Sequence, residues 1–555
     1  MGASLYAQTG AGEALLPEES FYTHLNGSLF LPGEYLHYKL YGLSANDKSF
    51  DALSKIAYVE LLNDKAESVY KKTIYLSENT GYSDFFIPTT LASGNYKFIA
   101  YSSFMLNNKE QQFFEQDIFI INPYTSNQKD IWKDSLTVNL DDPTANPSLN
   151  SSKIELTKNS FSKREKVRGI ARLPAGNYSV SVRILDSIPS PKLTSLEDYV
   201  QIFLSSPESL KLTALEHTPE SRGKILKGQL ASTTNDLQSK NIALSIPVLS
   251  DREETGEEFY LSFATTDKTG KFILNINEAF SGNDGFIQVL DSNQDFNIKI
   301  DSFPVFEKTA LSFSDFGITG GMENTILKRS IHNQIENSFF IKKPDTLLLP
   351  IRKNIFDWDA KETFVLDDYK RFKSVRETFI EVVTYARLSR ENESYQIHVF
   401  GYPPYEEFWG EALLIVDGIP ILDVGRFVDS YSSDKIEKIK VIREKKFLGG
   451  RFYKGVVLIE TFDLDFAKNQ AADYVKNIKI NSGNITRSYF KQTYNKESRL
   501  PDYRTQLLWD PNLKLDFDNS FDFYTSDVKG KFEISIQGFT KEGEAVSLYK
   551  TFMVD

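Results

Sequence analysis

Five histidines, no cysteine and 76 acidic residues limit the chemistry open to this sequence. The histidines are His24, His37, His217, His332 and His398. No two lie closer than 13 residues, so no local HxH or HExxH metal pair exists. Without cysteine there is no disulfide frame, thiolate nucleophile, thiolate-bound zinc or iron–sulfur cluster. Asp291-Ser292-Asn293-Gln294-Asp295 opens like a calcium loop, but Phe296 stands where the turn glycine belongs and Ser302 where the bidentate glutamate belongs. It reads as an Asx-rich turn. Carboxylate pairs such as Asp357/Asp359 and Asp367/Asp368 could act as acid and base, yet among 76 acidic residues such pairs arise by chance. No residue is assigned a catalytic, cofactor-binding or metal-binding role, and the chain is expected not to be an enzyme.

Binding is the better-marked chemistry. Tyr402-Pro403-Pro404-Tyr405-Glu406-Glu407-Phe408-Trp409-Gly410 is an aromatic loop stiffened by proline. Rigid aromatics lose little entropy on association and are enriched in interface hot spots. Lys435 to Lys446 carries six Lys/Arg against two Glu, interleaved with Ile and Val as on a solvated strand face. The candidate interaction surface is therefore Tyr402, Tyr405, Phe408, Trp409, Lys438 and Lys440, suited to an acidic partner or an anionic lipid. A net charge of -12 disfavours nucleic acid. No apolar run approaches the ~18 residues of a membrane helix.

The elements that must carry these residues are mostly strands. Aromatics reach 13%, with 42 Phe and 28 Tyr against 4 Met, a bias toward pleated, half-buried surfaces. Two internal echoes support this. Leu91-Ala92-Ser93-Gly94-Asn95-Tyr96 and Leu173-Pro174-Ala175-Gly176-Asn177-Tyr178 each feed an alternating strand, with Tyr96, Phe98 and Ala100 sharing one face of the first strand and Tyr178, Val180 and Val182 one face of the second. Asp267-Lys268-Thr269-Gly270 and Asp527-Val528-Lys529-Gly530 likewise open strands whose inward faces are Phe272, Leu274, Ile276 and Phe532, Ile534, Ile536.

The predicted fold class is mainly β: tandem immunoglobulin/macroglobulin-like sandwiches with an inserted small α/β domain. The expected boundaries are a tail at 1–19, a sandwich at 20–138, a Pro/Asn linker at 139–150, and a second sandwich with a short helix at 151–217. A third sandwich at 218–305, a helical connector at 306–350, the α/β domain at 351–465 and a final sandwich at 466–555 follow. In the connector, Ile326, Leu327, Ser330, Ile331 and Ile335 are expected near one helix face. A capping box at Ser374–Glu377 starts a helix with Val375, Phe379, Val382, Val383 and Ala386 as its apolar stripe.

Several segments resemble known families. Leu414-Ile415-Val416-Asp417-Gly418-Ile419-Pro420, then Asp434 to Ile442, then Gly449 to Thr461, resemble the plug domain of TonB-dependent outer-membrane receptors. Fewer than ~100 residues follow Thr461, against about 22 strands of ~10 residues in a receptor barrel, so no barrel is expected from them. Leu31-Pro32-Gly33-Glu34-Tyr35, Tyr58-Val59-Glu60-Leu61 and Ser93-Gly94-Asn95-Tyr96 resemble the MG2 domain of α2-macroglobulins. Gly223 to Ile300 is similar to carboxypeptidase-regulatory-like β-domains. Ser4-Leu5-Tyr6-Ala7-Gln8 resembles the end of a bacterial secretory signal. Together these resemblances imply an exported Bacteroidota cell-envelope protein of the periplasm or outer membrane, a binding or assembly subunit that docks an outer-membrane β-barrel or other envelope component. The alternative is a solute-binding module for glycan or peptide.

Overall fold

A computed structural model describes residues 19–44, 52–107, 113–125, 131–133, 153–185, 187–205, 216–232, 236–247, 259–280, 284–290, 296–301, 311–315, 317–339, 344–348, 362–391, 394–402, 411–469, 474–480, 483, 485–494, 500–515 and 518–555. The protein is mainly β and folds as two units. One comprises Met1–Ser221, Pro304–Leu349 and Asn484–Asp555; the other comprises Arg222–Phe303 and Pro350–Gly483. No helix among the described residues is long and apolar enough to cross a membrane.

The first unit holds two sandwiches. One pairs a three-stranded sheet of Glu19–Leu25, Tyr35–Ser44 and Thr80–Phe86 with a five-stranded sheet. The five strands run in the order Leu29–Phe30, Phe114–Ile120, Gly94–Tyr101, Ile56–Leu62, Ser68–Tyr75. Alternation along Tyr35–Ser44 sends Tyr38 against Phe98 of the facing sheet, ring centroids 5.3 Å apart. It sends His37, Lys39 and Tyr41 the opposite way, onto the second sandwich, which is why this sheet is buried on both faces.

That second sandwich corrects an expectation. Residues 151–217 and 466–555 do not make separate sandwiches: Gly176–Leu185 and Gly530–Thr540 are neighbouring antiparallel strands, in register from Gly176↔Thr540 to Leu185↔Lys531. Lys166–Ala171 pairs with Ser520–Tyr524 in the opposing sheet. The reason is core size. Val167, Val180 and Val182 are too few to close a core, and Ile534, Ile536, Leu548 and Phe552 complete it.

The Gly-Asn-Tyr echo gives the same local device twice. The Tyr96 hydroxyl donates to the Ala92 carbonyl at 2.8 Å and the Tyr178 hydroxyl to the Pro174 carbonyl at 2.9 Å, each tying the incoming loop to its strand. The Asp-x-x-Gly echo diverges. Asp267 closes its own turn by accepting from the Thr269 and Lys271 amides, whereas Asp527 accepts from Arg164 and the Asp502 amide.

Polar groups join the two sandwiches. Nδ1 of His24 shares a hydrogen bond with Ser179 Oγ at 2.6 Å, the Tyr41 hydroxyl donates to the Gln537 carbonyl at 2.9 Å, and Lys39 donates to Asn177 and the Pro511 carbonyl. Burial, aided by the Lys39 charge, lowers the His24 imidazole to about 3. The unfolded chain therefore takes up this proton first, below about 6.5, and the contribution is fully present above that pH and lost as pH falls toward 3. Near pH 5 the loss is about 2 kcal/mol. Because burial lowers His37 to about 3 as well, urea titrations at pH 7.5 and 5 should show a drop in both proteins, smaller in His24→Gln than in the wild type by about 2 kcal/mol. Burial also lowers Lys39 to about 7, so its effect falls in the separate window between that value and the ordinary lysine range.

The helix read from the connector spans Glu323–Ser338, and its buried face keeps the expected Ile326 and Ser330 but is turned away from Leu327 and Ile331. Ile326, Arg329, Ser330 and Asn333 point inward, while Leu327 and Ile331 are 55% and 46% exposed. The cause is electrostatic. Arg329 makes a bidentate pair with Glu34, Nε to Oε1 and Nη2 to Oε2, both 2.7 Å, and Asn333 donates to Oε1 at 3.0 Å.

In the second unit, a sandwich is built from Lys271–Ile276, Lys224–Ala231 and Asn297–Ile300 against Phe259–Thr265, Asn241–Pro247, Asp284–Val289 and Lys476–Lys479. Its last strand comes from the stretch expected to start the final sandwich. A mixed sheet follows in the order Glu362–Val365, Ile436–Leu448, Arg451–Thr461, Leu413–Val416, Ile419–Ile421, with one parallel pair between Leu413–Val416 and Arg451–Thr461. The Ser374 hydroxyl caps the helix Val375–Glu381 by accepting from the Glu377 amide at 3.2 Å, and Val375, Phe379, Val382, Val383 and Ala386 are buried as expected.

Candidate interaction surface

The mixed sheet is organised by one carboxylate. Asp417 and Gly418 both have positive φ, 47° and 82°, and form the two-residue turn between Leu413–Val416 and Ile419–Ile421. Glycine is required at 418, where a Cβ would lie 2.5 Å from that of Phe259. The Asp417 side chain is 2% exposed. It accepts from the Thr461 amide (2.8 Å), the Thr461 hydroxyl (2.6 Å) and the amides of Phe466 (3.1 Å) and Ala467 (3.2 Å). The Asp-Gly turn and the end of Arg451–Thr461 are thus bonded to each other. Burial raises the Asp417 carboxyl above the usual range, against these four hydrogen bonds.

The candidate residues fall into three groups. Tyr405, Phe408 and Trp409 lie outside the described residues. Tyr402 is 39% exposed and is held by Arg443, whose guanidinium carbon lies 4.3 Å from the Tyr402 ring centroid and 3.9 Å from that of Tyr385. Arg443 also donates to the Phe400 carbonyl at 2.8 Å, fixing the strand end that carries Tyr402. Lys438 and Lys440 are the correction. Both ammonium groups contact the buried Glu460 of the neighbouring strand, Lys438 at 2.6 Å, so their charge is met within the sheet. Glu460, 3% exposed, needs that compensation.

A different pair on the same sheet faces outward. Leu448-Gly449-Gly450-Arg451 turns Ile436–Leu448 into Arg451–Thr461, and Phe447 lies directly across from Phe452. Their ring centroids are 4.7 Å apart, and they are 59% and 78% exposed. The opposite side of this hairpin is seated: Leu448 and Tyr453 are buried with Leu261 and partly buried Phe259 and Phe263. A Cβ on Gly449 would meet Leu290 and Phe263. The aromatic pair is therefore presented on a firm backing. Lys445 faces Lys454 one step further along the same face. Sequence reasoning passed over Phe447 and Phe452, though a Gly-Gly turn places the residues two before and two after it opposite one another.

No family model and no curated protein matches the chain. Among solved structures, a Salmonella alpha-2-macroglobulin mutant aligns over 100% of this chain and 40% of its own, at 10% identity and a TM-score of 0.24. Escherichia coli alpha-2-macroglobulin activated by porcine elastase aligns over 97% and 44%, at 10% identity and 0.23. A tetra-tandem repeat in the extending region of a large adhesion protein aligns over 97% and 100%, at 7% identity and 0.15. The chain spans less than half the length of these macroglobulins. Its fold class rests on its own sheets.

Proposed function

We propose that this protein is a non-catalytic binding or assembly subunit of the bacterial cell envelope, exported to the periplasm or outer membrane. It docks an outer-membrane β-barrel or another envelope protein through its second unit. The observation that carries this reading is the Phe447–Phe452 pair, two adjacent aromatic rings left in solvent on a strand pair whose other side is packed. Exposed aromatics on a rigid backing supply large contact area at small entropic cost, the composition of an interface hot spot. The plug-like sequence pattern of the same sheet supports a barrel as partner, and the signal-like residues near the start support export.

Photo-crosslinking tests the docking directly. With p-benzoylphenylalanine at position 452, irradiation of native envelopes should yield one predominant adduct whose partner is a barrel protein by mass spectrometry. The control position is Ile380, also in the second unit and 63% exposed. It should yield none. Absence of an adduct from 452, or an equal yield from 380, would contradict the proposal.

A further inference from the structure

The hairpin of Phe447 and Phe452 is locally basic on an acidic chain. From Glu444 to Lys454 it carries Lys445, Lys446, Arg451 and Lys454 against Glu444 alone, while the whole chain has a net charge of -12. These cations are not equivalent. Lys446 lies across from buried Tyr453 and bonds Glu444 at 2.9 Å, so it belongs to the packed side. Lys445 and Lys454 oppose each other in register, two residues inboard of Phe447 and Phe452. Period two sets these four side chains on one face. Arg451 flanks the glycine turn, is exposed, and makes no ion pair among the described residues. The two rings are thus bordered by positive charge toward the sheet and at the turn.

Charge and shape together define what such a face takes. Ammonium groups placed directly opposite repel one another, and a carboxylate brought against that face is attracted by both. Beside an aromatic anchor, complementarity of this kind sets which partner binds and in what register. Shape decides between an acidic protein and an anionic lipid surface. A Cβ on Gly449 would lie 2.7 Å from Leu290 and 3.1 Å from Phe263, and one on Gly450 would lie 2.9 Å from the Asn241 side-chain oxygen. The turn therefore rests against the neighbouring sandwich instead of projecting, and the rings lie on the flank of the ribbon. Interfacial insertion buries apolar side chains roughly 5–10 Å deep, which a loop achieves with an apolar tip. Here Gly-Gly-Arg occupies the tip. A seated aromatic patch with cations on two sides fits a folded acidic surface.

We infer that the partner's contact surface is acidic: a folded protein whose apolar groove takes Phe447 and Phe452 and whose carboxylates meet Lys445, Lys454 and Arg451. The inference rests on the docking reading and adds the partner's chemistry to it.

The test repeats the position-452 crosslink in native envelopes at about 50 and about 400 mM NaCl, between which the screening length falls from about 14 to about 5 Å. It is run on the wild-type charges and on Lys445→Glu combined with Arg451→Glu. Both positions are exposed, so the reversals should leave folding intact. Lys373→Glu combined with Arg376→Glu, two exposed positions of the same unit, matches the change in net charge. The barrel adduct should fall at least fivefold with salt and tenfold or more with the reversed hairpin, and the control pair should leave it unchanged. An adduct that survives both salt and reversal would overturn the acidic surface while the docking reading stands, and an equal loss in the control pair would overturn it as well. No adduct with the wild-type charges would remove the docking reading and this inference with it. Adducts with lipid alone would also overturn it and assign the face to the bilayer.

Discussion

Glu34→Ala is expected to destabilise the first unit by about 3–5 kcal/mol, the cost of breaking a buried ion pair from one side. Glu34 follows the positive-φ Gly33 in the tight Pro-Gly turn and is 6% exposed. Burial alone would raise its carboxyl; Arg329 and Arg183 outweigh that and hold it at about 2. Removing the carboxylate would leave both guanidinium groups facing the Leu29 carbonyl and each other, in a site that water reaches poorly. The helix Glu323–Ser338 would lose its main anchor, because its buried face is Arg329, Ser330 and Asn333 more than Ile326. Glu34→Gln keeps the acceptor oxygen and should fall between. The acid limb has a definite sign. A carboxyl lowered in the folded state contributes fully above about 4.5, and that contribution is lost as pH falls toward 2. Hydrogen exchange of peptides from Glu19–Leu25, Tyr35–Ser44 and the helix would read the effect, and unchanged protection in Glu34→Ala would refute it.

Asp417→Ala should cost the second unit about 3 kcal/mol, since it leaves the Thr461 and Ala467 amides and the Thr461 hydroxyl without their acceptor and the Phe466 amide with only the longer bond to Thr461 Oγ1. Alanine is also a poor residue at φ 47°, where asparagine and aspartate are tolerated. Asp417→Asn preserves one acceptor oxygen and the turn conformation, so its cost should be nearer 1–2 kcal/mol. Amide exchange at Thr461, Phe466 and Ala467 should accelerate sharply in the alanine variant and modestly in the asparagine one. If both variants match the wild type at these amides, the carboxylate does not hold the sheet to its following helix.

What the sequence made legible is what is local. Alternation located all four strands, and at Phe272–Ile276 and Phe532–Ile536 it also picked the inward face, whereas Tyr96–Ala100 and Tyr178–Val182 are buried on both faces. The capped helix at Ser374 was equally readable. Strand partners far apart in the chain left no such mark: Gly176–Leu185 meets Gly530–Thr540 across some 350 residues, so one sandwich looked like two. The connector helix misled for a different reason. Helical periodicity assumes that the buried face is apolar, while this face is chosen by a carboxylate 295 residues away. Lys438 and Lys440 looked like free cations because the opposing Glu460 emerges only once the hairpin register is known. That same register, traced outward from Gly449-Gly450, would have brought Phe447 and Phe452 together.

The docking claim is tested most directly by tagged capture from gently solubilised native envelopes, comparing wild type with Phe447→Ser combined with Phe452→Ser. Both side chains are largely in solvent, so the double variant should unfold within a few degrees of the wild type. The wild type should recover an outer-membrane barrel stoichiometrically, and the variant should lose it tenfold or more, as two hot-spot aromatics would give. Recovery of the wild-type chain alone, or equal recovery of the barrel by both proteins, would contradict it.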